Sequence, residues 1–301
     1  MSRMILVYGT VCMDRIHRIN SLPLPGQYRE IQSQTVVPGG EALNTYQGLI
    51  KLGANAKLEG NPIDLDAAQM FAEHGIRYPN VAADAETPVC EIFVTPDGQR
   101  TMMGFRFADL ERVCRPDEVD LTGHSILTID SNIAQAGVAM ARRAIEAQIL
   151  TYVMDLWPAE IGLGERDMWQ CSARSRGVGG DRNAILAMID GLEFREETNI
   201  IVTDGGHGVY LAEPSYEVRH LPPYLAAQIV DTTGAGDAFR AGTLWGLSQG
   251  LSLRQAIGIG SATGMMKTRG EGALGGLATA AEIAELQKNQ ADVTAVYNEA
   301  S

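Results

Sequence analysis

The chain has 301 residues, enough to bury a large core, and its 45% hydrophobic and 20% charged composition excludes global disorder or a fibrous repeat. The formal net charge of −13, from 37 acidic against 24 basic side chains, would repel a nucleic-acid backbone and an anionic membrane surface, so neither is an expected partner. A small anionic nucleotide stays compatible, because backbone amides supply local positive potential whatever the overall charge.

Met4 to Tyr8 is a continuous apolar run closed by Gly9, the pattern of a strand buried on both faces of a parallel sheet. The run is too short for a signal-peptide core or a membrane span, and a cytoplasmic location is expected. Arg15 to Val37 follows, with two strand-like pieces around Leu22 to Gly26. Helical patterns then occupy Leu43 to Leu52, stopped by Gly53, and Asp64 to His74, stopped by Gly75. Val89 to Phe105 reads as a hairpin turning at Thr95 to Gly98, since Pro96, Asp97 and Gly98 have the φ preferences of a tight turn. Strands are expected at Ser125 to Ile129, Leu150 to Met154 and Asn199 to Thr203, with a helix over Ile133 to Ala147.

The last third is more helical. Gly236 to Gln249 forms one helix, Ser252 and Gln255 make a capping box for a second that runs to about Lys267, and Thr279 to about Lys288 is a third before a polar tail. Alternating strands and helices predict a single α/β domain over residues 1–301, a three-layer doubly wound, mainly parallel sheet. The segments at about 15–37 and 89–105 break that rhythm and are expected to form a small projecting sheet. Cys12, Cys90, Cys114 and Cys171 are widely spaced, with no Cys-x-x-Cys pair, and are read as reduced thiols with no structural metal.

The chemistry concentrates in Asp231 to Gly242, DTTGAGDAFRAG. Gly234, Ala235 and Gly236 let the backbone approach an anion closely, and the free amides and dipole of the helix that follows favour negative charge. Asp237 sits in the first turn beside that site, where a carboxylate can take a proton from an incoming alcohol. An isolated Gly-x-Gly-Asp is as often a tight connection with a capping acid, but the twelve-residue context favours phosphate chemistry. Other phosphate motifs fail. Phe239 stands where a dinucleotide fingerprint needs its third glycine, and Lys267–Thr268 resembles the end of a Walker loop but Met266 occupies the glycine position. There is no Gly-x-Ser-x-Gly nucleophile elbow.

These residues resemble the ribokinase-like, or PfkB, family of carbohydrate kinases, whose C-terminal signature is similar to DTTGAGDAF. Gly9 to Asp14, then Pro38, Gly39, Gly40, Glu41, Ala42, Leu43, Asn44 and later Leu52, Gly53, resemble its first signature, and Thr203, Gly205 and Gly208 its nucleotide segment. The resemblance implies ATP-dependent phosphoryl transfer with Mg2+, Asp237 as base, and the Gly234, Ala235 and Gly236 amides as anion hole. It implies substrate binding by Asp14, Gly39, Gly40 and Asn44, and nucleotide binding by Thr203, Gly205 and Gly208. The small sheet would be a lid that excludes water and pairs with its equivalent in a homodimer. Asp231 and Thr233, with the loop from Thr268 to Ala273, resemble a monovalent-cation site, so K+ is a further expected cofactor, although that loop is one residue longer than usual.

The N-x-x-E motif that organises Mg2+ in the family is absent, and Asp155 and Asp181 are the candidates to replace it. The acceptor is expected to be a sugar. One alternative is a nucleoside, stacked by Tyr28, Phe93, Phe105 or Phe107; another is a binding protein of this fold with little turnover. Arg29 and Arg106 would meet a substrate phosphate or be surface charge.

Overall fold

The computed structural model describes residues 3–96, 100–110, 114–156 and 161–299. Its organising strand is β1 (Met4–Gly9), flanked in parallel by β4 (Ala56–Gly60) and β7 (His124–Ile129). Successive side chains of a strand point to opposite faces. Ile5 and Val7 accordingly join one apolar cluster and Leu6 and Tyr8 another, which is why the whole run is apolar. Fully burying an aliphatic side chain of this size contributes about 2 kcal/mol.

From β7 the sheet continues through β8 (Leu150–Met154), β9 (Met168–Ser172) and β10 (Asn199–Thr203), all parallel. It ends in the antiparallel strands β11 (Val209–Ala212) and β12 (Arg219–Leu221). The order is β12-β11-β10-β9-β8-β7-β1-β4. The Ile5 face is covered by α1 (Glu41–Lys51), α2 (Leu65–Glu73), α5 (Ala235–Ser248), α6 (Leu253–Lys267), α7 (Ala280–Asn289) and α8 (Ala291–Asn298). The Leu6 face is covered by α3 (Ala134–Glu146) and α4 (Arg182–Asp190). This is the expected three-layer, mainly parallel arrangement. No helix among the described residues is long and apolar enough to cross a membrane.

A second sheet, ordered β3-β2-β5-β6, stands apart from the first. It is built from β2 (Cys12–Ile19), β3 (Ile31–Gly39), β5 (Val89–Val94) and β6 (Arg100–Phe105), the two segments anticipated from the sequence. Asp97 and Gly98 of the expected turn lie outside the described residues. None of the four cysteines is in a disulfide.

Helix ends follow their capping side chains. Asp64 accepts from the Ala67 amide, and Ser252–Gln255 and Thr279–Glu282 form reciprocal capping boxes. Helices α5 and α6 cross closely because Gly242 and Gly260 face each other. A Cβ on Gly260 would lie 2.2 Å from Thr243 Oγ1, and one on Gly242 would lie 2.9 Å from Gly260 Cα.

Two expectations need correction. The residues after Lys288 are not a polar tail: α8 carries Tyr297, 1% exposed, which stacks on Tyr224 at 5.9 Å and donates to the Pro222 carbonyl at 2.7 Å. One deeply buried aromatic on an eight-residue helix leaves too little periodicity to read. The stretch between β8 and β10 also holds β9 and α4. The strand contains Gln170, a polar residue buried because it accepts from the Tyr152 hydroxyl at 2.6 Å. Replacing Tyr297 by Ala should cost about 3 kcal/mol of stability, as truncation of large buried aromatics does. Urea unfolding measures it, and a loss below about 1 kcal/mol would mean that α8 is not docked as described.

Candidate active site

The carboxyl ends of the central strands converge on the start of α5. Gly234 is its N-cap, in the left-handed conformation with φ 74°, and a Cβ there would meet the Ala273 carbonyl at 2.8 Å. Glycine is therefore required both for backbone angle and for space. Gly236 opens onto free space instead. The Ala235 amide closes the turn on the Thr232 carbonyl at 3.2 Å, whereas the Gly234 and Gly236 amides have no backbone acceptor among the described residues.

Asp237 projects from the first turn of α5 and is 7% exposed. Its Oδ2 accepts from Asn44 Nδ2 at 2.9 Å, and the Arg240 guanidinium stands 3.6 Å from Oδ1. Burial pushes the Asp237 carboxyl up to about 6, even though Arg240 and Asn44 pull it down; the nearby Asp130 and Asp14 add to the rise.

Asn44 is held by the bend that starts α1. Gly40 has φ 104°, a Cβ on it would sit 2.3 Å from the Thr10 carbonyl, and its own carbonyl accepts from the Asn44 amide. Asn44 Oδ1 is buried with no partner in the protein among the described residues. Asp14 lies inside β2, not in a loop. It is 7% exposed and accepts from Cys12 Sγ at 3.4 Å, and burial pushes its carboxyl up to about 6. Gly39 makes room for it, since a Cβ there would fall 2.2 Å from the Asp14 carboxyl carbon.

Three supporting residues were not anticipated. Arg240, fully buried, donates to Thr45 Oγ1 and to the Glu41 and Ile129 carbonyls, tying α5 to α1 and to the end of β7. Glu41 is buried beside it, and desolvation raises its carboxyl well above the usual range, with Asp130 and Asp237 adding to the effect. Asp130, just past β7, accepts from the Thr10 amide at 2.7 Å and from the Thr10 hydroxyl at 3.0 Å, fixing the turn out of β1. An arginine three residues after Asp237 was the only available sequence signal.

Thr203 ends β10, three strands along from β7, and Asp204 beyond it accepts from the Gly180 amide. Gly205 faces open space, while Gly208, at φ 104°, is pressed against the Leu221 carbonyl. Asp14, Gly39, Gly40, Asn44 and the Gly234–Asp237 turn thus form one group, and Thr203, Gly205 and Gly208 a second. Asp231 Oδ1 accepts from the Thr233 amide and hydroxyl at 2.8 and 2.6 Å, and its Oδ2 from the Gly272 amide at 2.8 Å. Burial opposes ionisation of Asp231, but these bonds win and hold its carboxyl below the usual range. Arg100, from β6, donates to the Thr233 hydroxyl.

Neither candidate for the missing Mg2+ carboxylate is free. Asp155 pairs with Arg176 at 3.1 Å, and Asp181 caps α4 through the Ala184 amide. No group of three or more His, Cys, Asp or Glu side chains among the described residues is placed to hold a metal. Two surface hollows, of about 670 Å3 near Arg195 and about 390 Å3 near Arg166, share no residue with this site.

A mainly parallel sheet between helical layers with a separate four-stranded sheet is the ribokinase-like fold. Residues 165–280 match the family model described as pfkB family carbohydrate kinase. A sugar kinase of Escherichia coli, YegV, is 26% identical over 86% of each chain. Two solved structures share the fold. A Methanocaldococcus jannaschii nucleoside kinase has a TM-score of 0.76 and 21% identity, covering 95% of this chain and 98% of its own. An Arabidopsis thaliana ribokinase complexed with ribose and ATP has a TM-score of 0.74 and 18% identity, covering 96% and 99%.

Because Arg240 favours the ionised form of Asp237, Arg240→Met should raise the Asp237 pKa above its wild-type value of about 6. Carbon-13 NMR of the side-chain carboxyls reads this directly, and an unchanged or lowered midpoint would remove Arg240 from the site's electrostatics.

Proposed function

We propose that the protein transfers the γ-phosphoryl group of ATP to a hydroxyl of a sugar or sugar-like molecule, with Asp237 as the general base. The observation that carries this reading is the placement of a buried carboxylate, its pKa raised to about 6, in the first turn of a helix whose glycine cap leaves amides open to an anion. A base with that affinity is ionised at neutral pH yet binds a proton better than an exposed aspartate does.

In the reaction, Asp237 removes the hydroxyl proton as the substrate oxygen bonds to the γ-phosphorus. The bond from that phosphorus to the β–γ bridging oxygen breaks, and ADP leaves with the electron pair. The Gly234, Ala235 and Gly236 turn and the α5 dipole stabilise charge on the transferred group. Asn44 holds Asp237 in place and offers its unpartnered Oδ1 to a substrate hydroxyl. Asp14, with room made by Gly39 and with Gly40 turning the chain beside it, accepts from a second hydroxyl. The segment carrying Thr203, Gly205 and Gly208 takes the nucleotide, and because the carboxylates considered for Mg2+ are engaged, neither is assigned to hold it. The four-stranded sheet serves as a lid, and its exposed Met102, Met103 and Phe105 suit pairing with a second copy.

A sugar is favoured over a nucleoside because the aromatic side chains available to stack a base are dispersed or engaged. Tyr28 and Phe105 are exposed, Phe93 stacks on His17, and Phe107 packs under Gly104. The test is ADP release across a panel of sugars, sugar phosphates and nucleosides, with Asp237→Asn as control. The variant should lose about 1000-fold in kcat on the preferred acceptor. Equal turnover by both proteins, with the acceptor still bound, would leave a binding protein and not a kinase.

A further inference from the structure

We propose that the Lys267 ammonium, and not a bound K+, is the monovalent cation of the anion-binding turn, making Lys267 a positioning residue for the phosphoryl site. The proposal rests on the kinase reading above. Lys267 is the last residue of α6 and is wholly buried. Its Nζ donates to the Asp231 carbonyl at 3.1 Å and to the Gly270 carbonyl at 3.0 Å. A buried ammonium is costly unless acceptors meet it, and here main-chain oxygens of two loops do so, with the Asp231 charge nearby.

Those loops are the pair that sequence resemblance assigned to K+. With the lysine tail running between them and its nitrogen within bonding distance of a carbonyl from each, a second monovalent cation on the same oxygens would face like charge at close range in a poorly solvated place. The near-Walker Lys267–Thr268 pair thus has a use unrelated to a Walker loop.

The cation is mechanically linked to the anion hole. The Val230 and Asp231 amides both donate to the Thr268 carbonyl, at 2.7 and 3.1 Å, and Asp231 Oδ2 accepts from the Gly272 amide at 2.8 Å. The segment reached this way ends against the glycine cap, since the space a Cβ would need at Gly234 is taken by Ala273. Gly276 is pressed in turn against the Lys267 carbonyl, so the loop closes on the lysine's own backbone. Removing the charge leaves two carbonyls without their donor and loosens the shelf on which Gly234 rests.

The wild-type enzyme, freed of K+, Na+ and ammonium by exchange into a choline buffer, should release ADP at the same rate when KCl is restored. Activation by about fivefold or more would overturn the proposal, and this arm requires no variant. Lys267→Met should lower kcat by about 100-fold with a smaller change in KM for ATP, the signature of a displaced anion hole. Lys267→Ala, which leaves space, should regain activity on addition of K+ or ammonium ion. Hydrogen exchange across residues 231–237 provides a readout independent of turnover: it should be faster in both variants and slow again when K+ is added to Lys267→Ala. Folded variants whose exchange and kcat match wild type would contradict the proposal. Inactivity of the wild type on every acceptor would count against the kinase reading alone, with the exchange measurement still deciding the role of Lys267.

Discussion

The site depends on a carboxylate kept buried at the start of a helix. Taking Asp237 out of water disfavours its charge. Three features oppose that cost without removing it: the N-terminal dipole of α5, the Asn44 amide at 2.9 Å and the Arg240 guanidinium at 3.6 Å. Burial still outweighs them, which leaves the group near 6 and not at an ordinary aspartate value. The same contacts fix the surrounding architecture. Asn44 brings in α1, and Arg240 binds the Glu41 and Ile129 carbonyls, so α1, α5 and the end of β7 are held in one register.

Around that centre, glycines act as fitted absences. Gly39 leaves space for the Asp14 carboxyl, Gly40 lets the chain turn against Thr10, and Gly234 seats the α5 cap on Ala273. A side chain at Gly39 would displace the Asp14 carboxyl that the proposed chemistry uses, and one at Gly40 or Gly234 would disturb the backbone that sets the start of α1 or the cap of α5. The close crossing of α5 and α6 extends the principle, because it carries Lys267 at the end of α6 to the loops beneath the anion-binding turn.

Much of this was legible in the sequence where the signal is local. The apolar run of β1, the capping boxes at Ser252 and Thr279, and the glycine-rich turn before Asp237 each lie within a few residues of what they specify. Relations over distance were not legible. Asn44 and Asp237 are 193 residues apart, and Thr10 and Asp130 are 120 apart, so neither bond has a sequence pattern. That Asp14 belongs to a strand, β2, was not legible, because a strand that begins three residues after another ends lacks a turn signal. Lys267 looked like a fragment of another motif, since a buried lysine is recognised only by the carbonyls that surround it.

The central claim is that a buried Asp237 takes the proton from the acceptor hydroxyl. The pH dependence of kcat/KM for phosphoryl transfer tests it most directly. The base works only when ionised, so activity should be lost in acid, rise as pH passes about 6 and level off above it. A profile that stays flat well below that pH, or that keeps its acid limb unchanged in the residual activity of Asp237→Asn, would contradict the account.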